Sequence, residues 1–161
     1  MDGKLRNMTS VYLTDEKGLL CLYRRGSRVA NNKYVGAAGG HFEPEEVSDA
    51  GACVLREMSE ELGLTEGDVE GLRLRYITLR LTNGEIRQNY YFFARLKHPR
   101  ELKSTEGDLR WVAYEDVPEL HMPVSAGHMM AHYVAEGRYT DYLYAGITEE
   151  TGTKFVILRE F

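Results

Sequence analysis

The segment that decides the fold is the nine-residue stretch Arg56-Glu57-Met58-Ser59-Glu60-Glu61-Leu62-Gly63-Leu64. The pattern of apolar and polar residues over 49–62 predicts a helix that contains most of this stretch. Asp49 or Ser48 would cap its start, and Gly63 would adopt the left-handed conformation that ends many helices.

Three carboxylates share one face of this predicted helix. At about 100° per residue, Glu57, Glu60 and Glu61 lie together, opposite an apolar face that points towards the core. The apolar face consists of Leu55, Met58 and Leu62. Like charges at i,i+4 near a helix C-terminus work against the helix, and a bound divalent cation would relieve the repulsion. A solvated acidic face is the alternative for these residues taken alone.

Residues 39–46, Gly39-Gly40-His41-Phe42-Glu43-Pro44-Glu45-Glu46, place paired glycines and further acids ahead of the helix. Glycine lets a backbone approach a ligand or present its carbonyl oxygen to a metal ion, although paired glycines also form simple tight turns. The combination of glycines, acids and a carboxylate-bearing helix favours a ligand site.

Together the two segments resemble the Nudix box. In that pattern a Gly, five residues, a Glu and seven residues precede Arg-Glu-apolar-x-Glu-Glu-x-Gly-apolar. Gly40 is followed after five residues by Glu46, and residues 56–64 match the second half at every specified position. The chain departs from the pattern because nine residues, not seven, separate Glu46 from Arg56. We expect the two additional residues in the loop 47–49.

The resemblance extends over about residues 8–135. Residues 22–25 and their spacing to Gly40 look like the MutT-type branch, and residues 106–112 are similar to the acidic loop and Trp-bearing strand of the family. The resemblance implies an α/β/α sandwich with a mixed β-sheet, in a single Nudix domain over 1–161 with its box at 40–64. A terminal hairpin at about 140–161 has no counterpart in the shared pattern.

The same resemblance implies a site for Mg²⁺, with Mn²⁺ as a possible substitute. The implied metal ligands are the Gly40 carbonyl oxygen and the carboxylates of Glu57, Glu60 and Glu61. Arg56 would pair with the acids and orient them. Two acids remain candidates for the general base, Glu60 within the box and Glu106 in the downstream loop.

A basic stretch of opposite sign to the box precedes it, formed by Arg24, Arg25, Arg28 and Lys33. We expect at least one of the arginines, with Arg25 first, to bind substrate; a solvated strand edge is the alternative. Arg24 and Arg25 would face opposite sides of a strand unless the strand ends there.

The remaining pattern predicts an α+β fold. Strands are predicted at 8–14, 19–24 and 109–114, and a hairpin joins 72–82 to 85–96 through Asn83-Gly84. A second helix is predicted at 124–136, and a last hairpin pairs 142–147 with 155–158. The order of strands and helices favours a mixed sheet between helices.

Composition narrows the class of protein. The chain has 161 residues, 43% hydrophobic and 28% charged, which is ordinary for a globular protein. No apolar run reaches the length of a membrane span and the N-terminus lacks a signal peptide, so we expect a cytoplasmic protein without a membrane partner. A net charge of −5 argues against a nucleic acid polymer as partner. Cys21 and Cys53 lie in apolar segments and predict buried free thiols.

Other residues of types that bind ligands have plainer explanations. His128 and His132 are at i,i+4 on the second predicted helix, but neither a following Glu nor a third ligand supports a metal site. Four consecutive aromatic residues are predicted to belong to the core of the sheet: Tyr90, Tyr91, Phe92 and Phe93. The alternative is that one of these rings stacks on a substrate base.

The predicted activity is Mg²⁺-dependent cleavage of a diphosphate linkage in a nucleoside triphosphate or related nucleoside diphosphate derivative, including an oxidised nucleotide. Nucleotide sugars and dinucleoside polyphosphates are alternative substrates, and a non-catalytic sensing module is an alternative role. MutT-type proteins read the oxidised base partly through an Asn near the second helix, and residues 121–126 contain none. Some members of the family that the chain resembles are isomerases, and these need a catalytic Cys in their pocket. Cys21 and Cys53 lie in apolar segments instead, which argues against an isomerase. The expected partner is a small molecule, with the protein a monomer or homodimer.

Overall fold

A computed structural model describes residues 4–26 and 30–159. Within these residues the chain forms nine strands and two α-helices. The strands are β1 (Lys4–Thr14), β2 (Gly18–Arg24), β3 (Lys33–Gly36), β4 (Ala38–His41), β5 (Val69–Thr82), β6 (Glu85–Leu96), β7 (Asp108–Ala113), β8 (Leu143–Glu149) and β9 (Gly152–Leu158). The helices are α1 (Ala50–Leu62) and α2 (Val124–Ala135).

The strands form one mixed sheet with the order β3-β2-β1-β6-β5-β8-β9. The pairs β1–β6 and β5–β8 are parallel, and the others are antiparallel. Strand β4 pairs with β1, and β7 pairs with β2. The sheet therefore brings the start of the chain, the segment before α1 and the terminal hairpin into one surface.

Local sequence explains the best-defined turns. Asn83 and Gly84 have φ angles of 51° and 73°, as the two-residue hairpin between β5 and β6 requires. Asp49 caps α1 by accepting a hydrogen bond from the Ala52 amide at 2.9 Å, and Gly63 ends the helix with a φ of 66°. The predicted cap, stop and hairpin are confirmed.

Alternating side chains of the central strands form two separate cores. On β1, Tyr12 belongs to the core beneath α2, whereas Val11 and Leu13 belong to the core beneath α1. On β6, Phe93 belongs to the core beneath α2 and Phe92 to the core beneath α1. With one helix on each side of a mixed sheet, the predicted α+β sandwich is confirmed.

Several predicted boundaries were wrong. Strand β1 begins at Lys4 rather than residue 8, because its polar first half pairs in parallel with β6 and needs no alternating apolar pattern. No strand was predicted between residue 24 and the helix, but this stretch forms β3 and β4, whose partners are distant in sequence. Within the terminal hairpin, β8 continues to Glu149 and β9 begins at Gly152, so the two paired strands are longer than the predicted 142–147 and 155–158.

Cys21 and Cys53 are buried and unpaired, as predicted. Among the described residues, no helix combines the length and apolar character needed to span a membrane.

Candidate active site

Arg56 is the centre of an ionic cluster at the start of the carboxylate face. Its guanidinium donates from Nε and Nη2 to the two oxygens of Glu46, at 2.7 and 3.0 Å. Nη1 donates to Glu57 at 2.8 Å and to Glu60 at 3.1 Å, and Nη2 also reaches the carbonyl of His41 at 3.0 Å. One arginine thus orients three carboxylates from two segments of the chain.

Glu46 keeps this contact despite the two additional residues that follow it. Pro44–Glu46 forms a short 3₁₀ turn, and the Glu43 amide donates to the Glu46 carboxylate at 2.9 Å. Hydrogen bonds from Arg56 lower the pKa of the buried Glu46 carboxyl to about 2, against its partial desolvation. The two additional residues are therefore accommodated in the loop before α1, and the contact between Glu46 and Arg56 is kept.

Gly39 and Gly40 lie in a strand and not in a tight turn. A Cβ on Gly40 would lie 2.3 Å from the carboxylate of Glu57, and a Cβ on Gly39 would lie 2.3 Å from the carbonyl oxygen of Thr9. Glycine is needed at both positions because α1 and β1 press against β4 from different directions. The backbone and the Glu57 carboxylate consequently come into close contact.

The side chain of Glu61, on α1, also lies against strand β4. Its carboxylate accepts a hydrogen bond from the Gly39 amide at 3.1 Å. Burial raises the pKa of Glu61 to about 7; the Gly39 hydrogen bond opposes the shift, and the charges of Glu57 and Glu106 add to it. Negative charge is thus concentrated beside the glycine strand, and a cation there would relieve it.

The side chains present fit a hard divalent cation in donor type. Glu57 and Glu61 both contact the glycine strand, Glu60 is held by the shared Arg56, and carboxylates are the oxygen ligands that Mg²⁺ accepts. Among the described residues, no three His, Cys, Asp or Glu side chains form a preassembled metal cluster. Arg56 holds Glu57 and Glu60 through hydrogen bonds of 2.8 and 3.1 Å, so the protein itself fixes the orientation of these two carboxylates.

Glu106 approaches the site from the loop that precedes β7. It accepts a hydrogen bond from Arg24 at 2.8 Å, across 82 residues of sequence. The pairing of β2 with β7 produces this contact, and the charges of both residues act on Glu61. Sequence spacing alone offered no signal for the Arg24–Glu106 pair.

The other predicted basic residues lie differently. Arg25 follows the end of β2, is largely exposed and approaches Asp108 at 3.7 Å. Lys33 begins β3, opposite Arg24. Arg28 lies outside the described residues. Of the predicted substrate-binding arginines that the structure describes, Arg24 acts on the box carboxylate Glu61, whereas Arg25 approaches Asp108.

The two histidines of α2 contact different partners. His132 Nδ1 lies 2.7 Å from the Tyr76 hydroxyl, and burial lowers the pKa of His132. His128 Nδ1 lies 3.0 Å from the Thr153 hydroxyl in the terminal hairpin. Tyr90 is only partly buried and packs its ring against Phe42 at 5.3 Å.

Comparisons with known proteins agree with this architecture. The NUDIX domain family model matches residues 4–133, which leaves the terminal hairpin outside the match. No curated protein sequence matches the chain.

Solved structures share the fold. A MutT protein from Bacillus halodurans is 24% identical, covering 94% of this chain and 97% of that chain, with a TM-score of 0.64. A C. elegans Ap4A hydrolase is 17% identical, covering 82% and 96%, with a TM-score of 0.62. An E. coli dihydroneopterin triphosphate pyrophosphohydrolase is 19% identical, covering 81% and 94%, with a TM-score of 0.60. Because the family model spans most of the sequence, the chain belongs to the Nudix hydrolase family, and its fold is similar to that of MutT proteins.

Proposed function

We propose that the protein is a Mg²⁺-dependent hydrolase that cleaves a diphosphate linkage in a nucleoside triphosphate or a related nucleoside diphosphate derivative, including an oxidised nucleotide. The substrate would be a small molecule, the protein a monomer or homodimer, and Mn²⁺ a possible substitute for Mg²⁺. The cytoplasmic location expected from the sequence stays a prediction.

One observation carries the proposal: Glu57 lies against Gly40 and Glu61 accepts a hydrogen bond from Gly39, both on β4, while Arg56 orients Glu57 and Glu60. Such an array of carboxylates costs stability unless positive charge binds beside it. A Mg²⁺ ion bound there together with the diphosphate of a substrate would supply that charge.

The proposed ligands are the Gly40 carbonyl oxygen and the carboxylates of Glu57, Glu60 and Glu61. When bound, Mg²⁺ would neutralise phosphate oxygens and lower the pKa of a bound water. The residues of the chain would position the substrate, and a carboxylate would accept the proton of the attacking water.

Glu60 and Glu106 remain the two candidates for the general base. Glu60 is more exposed and shares Arg56 with Glu57, whereas Glu106 is paired with Arg24. Arg24 can therefore neutralise Glu106 or contact a substrate phosphate, but its single guanidinium favours one partner at a time. Arg25 and Arg28 remain proposed substrate contacts.

A substrate screen with purified protein tests the proposal. Nucleoside triphosphates, oxidised nucleotides, nucleotide sugars and dinucleoside polyphosphates should be incubated with Mg²⁺, and phosphate and pyrophosphate measured separately. Glu60→Gln should lose activity by about 10²–10⁴-fold while staying folded. Glu66→Gln, at an exposed glutamate outside α1, is the matched control and should keep full activity.

Full activity in the Glu60→Gln variant would remove Glu60 from the mechanism. Binding of nucleotides without Mg²⁺-dependent turnover of any substrate would instead favour a sensing module. Dinucleoside polyphosphates belong in the screen because an Ap4A hydrolase shares the fold.

A further inference from the structure

The sheet face that carries α1 continues beyond this helix. Helix α1 packs against β4 and β1, and β6, β5, β8 and β9 follow β1 in the sheet. Tyr90 of β6 packs against the core beneath α1, and its register partner on β5 is Ile77. Register partners, and alternate residues along one strand, point to the same face of a sheet. Ile77 and the alternate residues that follow it therefore lie on the α1 face of β5.

Strand β5 shows which of its two faces is apolar. Beyond Ile77, the α1 face carries Leu79 and Leu81. The alternate residues, Arg80 and Thr82, point to the opposite face. A half-buried strand places its apolar residues towards a covered surface and its polar residues towards water. Leu79 and Leu81 are nevertheless 37% and 61% exposed, so the pattern of β5 indicates a surface that a partner covers.

The neighbouring strands extend the apolar character of this surface. Register pairing places Ile86 of β6 opposite Leu81, and it places Ile147 of β8 opposite Leu79. On β9, Val156 lies on the same side of the sheet through its pairing with β8. Six large apolar side chains of this surface are each more than a third exposed, and we call them the apolar face: Leu79, Leu81, Ile86, Ile147, Val156 and Leu158.

The apolar face has the size of a protein interface. Its four strands span about 15 Å across the sheet. A cavity of about 880 Å³ opens on it, with Leu79, Ile147 and Val156 in its lining. At about 100 Å² for a fully exposed aliphatic side chain, the six residues present roughly 300 Å² of apolar surface. A stable interface covers about 800 Å² on each partner, of which a little over half is apolar, so the six residues supply most of that apolar area.

Two opposite charges lie at the rim of the apolar face. Lys154 of β9 is the register partner of Ile147, and Glu149 ends β8 two residues after Ile147. Both line the cavity, and neither forms an ion pair within residues 4–26 and 30–159. In a two-fold interface, a residue that contacts a second residue of the partner is matched by the reverse contact. Lys154 of each copy can then pair with the partner's Glu149, so the surface is complementary to itself.

We propose that two copies of the chain form a homodimer in which their apolar faces pack on each other about a two-fold axis. Sheets that pack in this way lie about 10 Å apart with interdigitating side chains, so the side chains of one copy fill the cavity of the other. The carboxylates of the candidate site stay outside the interface, because β4 lies on the opposite edge of β1 from β6. The proposal goes beyond the proposed function and does not depend on hydrolysis.

Sedimentation velocity of the full chain at micromolar concentration tests the proposal. The wild type should sediment with twice the mass of one chain. Ile147→Asp would bury a charge in the apolar face and should raise the dissociation constant of the dimer by about tenfold or more. Val47→Asp is the matched control, because Val47 is 62% exposed, against 65% for Ile147, and lies in the loop before α1. It should leave the dimer unchanged, and circular dichroism should show that both variants are folded.

Charge reversal tests the pairing at the rim. Lys154→Glu and Glu149→Lys each place like charges opposite one another, and each should raise the dissociation constant by about fivefold or more at low salt. The two single variants, mixed in equal amounts, should form a heterodimer, because every pair between the copies is then of opposite charge. A double variant that carries both changes should associate like the wild type for the same reason.

Three results would overturn the proposal. They are a wild type that stays monomeric at these concentrations, an Ile147→Asp variant that dimerises like the wild type, and charge-reversed variants whose association neither mixing nor the double change restores. A monomeric wild type whose apolar face binds a hydrophobic dye would point to a different occupant and equally overturn it. Absence of Mg²⁺-dependent hydrolysis would bear on the proposed function alone, since the sedimenting mass is measured without substrate.

Discussion

At the scale of single residues, Arg56 has the largest role in the candidate site. It donates to Glu46, Glu57 and Glu60, and so sets the orientation of carboxylates that would otherwise repel one another. A lysine at this position would keep the positive charge but could not form the two parallel bonds to Glu46.

We therefore expect Arg56→Lys to lower kcat by about 10- to 100-fold, as is typical when a residue that orients metal ligands is changed. Initial rates at saturating Mg²⁺ and substrate measure the effect. Arg100→Lys, at an exposed arginine 3.9 Å from Asp68, is the control and should behave as the wild type. A wild-type kcat in Arg56→Lys would show that a positive charge at this position, without the paired hydrogen bonds of arginine, is enough to orient the carboxylates.

The pKa of Glu46 predicts a pH dependence of stability. Its folded-state value of about 2 lies below the ordinary 4.5, so the Glu46–Arg56 pair stabilises the fold fully above about pH 4.5. This contribution is lost as the pH falls from about 4.5 towards 2. The difference in unfolding free energy between wild type and Glu46→Gln should therefore shrink over that range in urea titrations. A constant difference, or the same trend for the exposed neighbour variant Glu45→Gln, would contradict this assignment.

At the scale of elements, Arg75 connects β5 to the segment between α2 and β8. The buried guanidinium donates to the carbonyl oxygens of Gly137, Thr140 and Tyr142, at 2.7, 2.7 and 2.9 Å. Thr140 and Tyr142 belong to a connection without regular strand pairing, so Arg75 supplies the donor for their carbonyls. The Gly137 carbonyl also accepts a hydrogen bond from the Thr140 amide at 3.1 Å.

Replacing Arg75 by Met keeps much of its volume but removes the donor to the carbonyls of Thr140 and Tyr142 and one of the donors to the carbonyl of Gly137. We expect the free energy of unfolding to fall by about 2–4 kcal/mol. Arg73→Met, at an exposed position of the same strand, should change it by less than about 0.5 kcal/mol. Chemical denaturation of both variants measures the difference. Equal losses of unfolding free energy in the two variants would show that the hydrogen bonds of Arg75 do not stabilise this connection.

At the scale of the whole molecule, the terminal hairpin belongs to the core beneath α2. The Tyr144 ring stacks on Tyr76 with centroids 5.2 Å apart and lies 4.6 Å from His132. Strand β8 also pairs in parallel with β5, so the hairpin extends the central sheet. Its stability and that of the sheet are therefore coupled.

We expect Tyr144→Ala to destabilise the whole protein by about 3–5 kcal/mol, because it leaves a cavity among buried rings. Tyr142→Ala, two residues away and about half exposed, should cost less than about 1 kcal/mol. A single cooperative transition with a lowered midpoint is the expected thermal unfolding curve. Loss of the hairpin alone, with the remaining transition unchanged, would mean that the hairpin is an independent appendage.

Features that depend on neighbouring residues could be predicted from the sequence. The helix with its Asp49 cap and Gly63 stop, the carboxylate face and the Asn83-Gly84 hairpin all arise from local periodicity and local backbone preference. The family pattern of residues 40–64 added the expected metal ligands, which remain a proposal.

Only the tertiary structure determined which distant segments meet. The pairing of β2 with β7 sets Glu106 beside Arg24, and the parallel pairing of β1 with β6 sets Arg6 beside Arg87. Strands β3 and β4 form because β1 and β2 offer them hydrogen bonds, not because their own residues alternate. Strand register depends on contacts between residues tens of positions apart, and such contacts leave no local pattern in the chain. The sequence by itself therefore determined a carboxylate-bearing helix, whereas the sheet decided which arginines and which loop acid surround it.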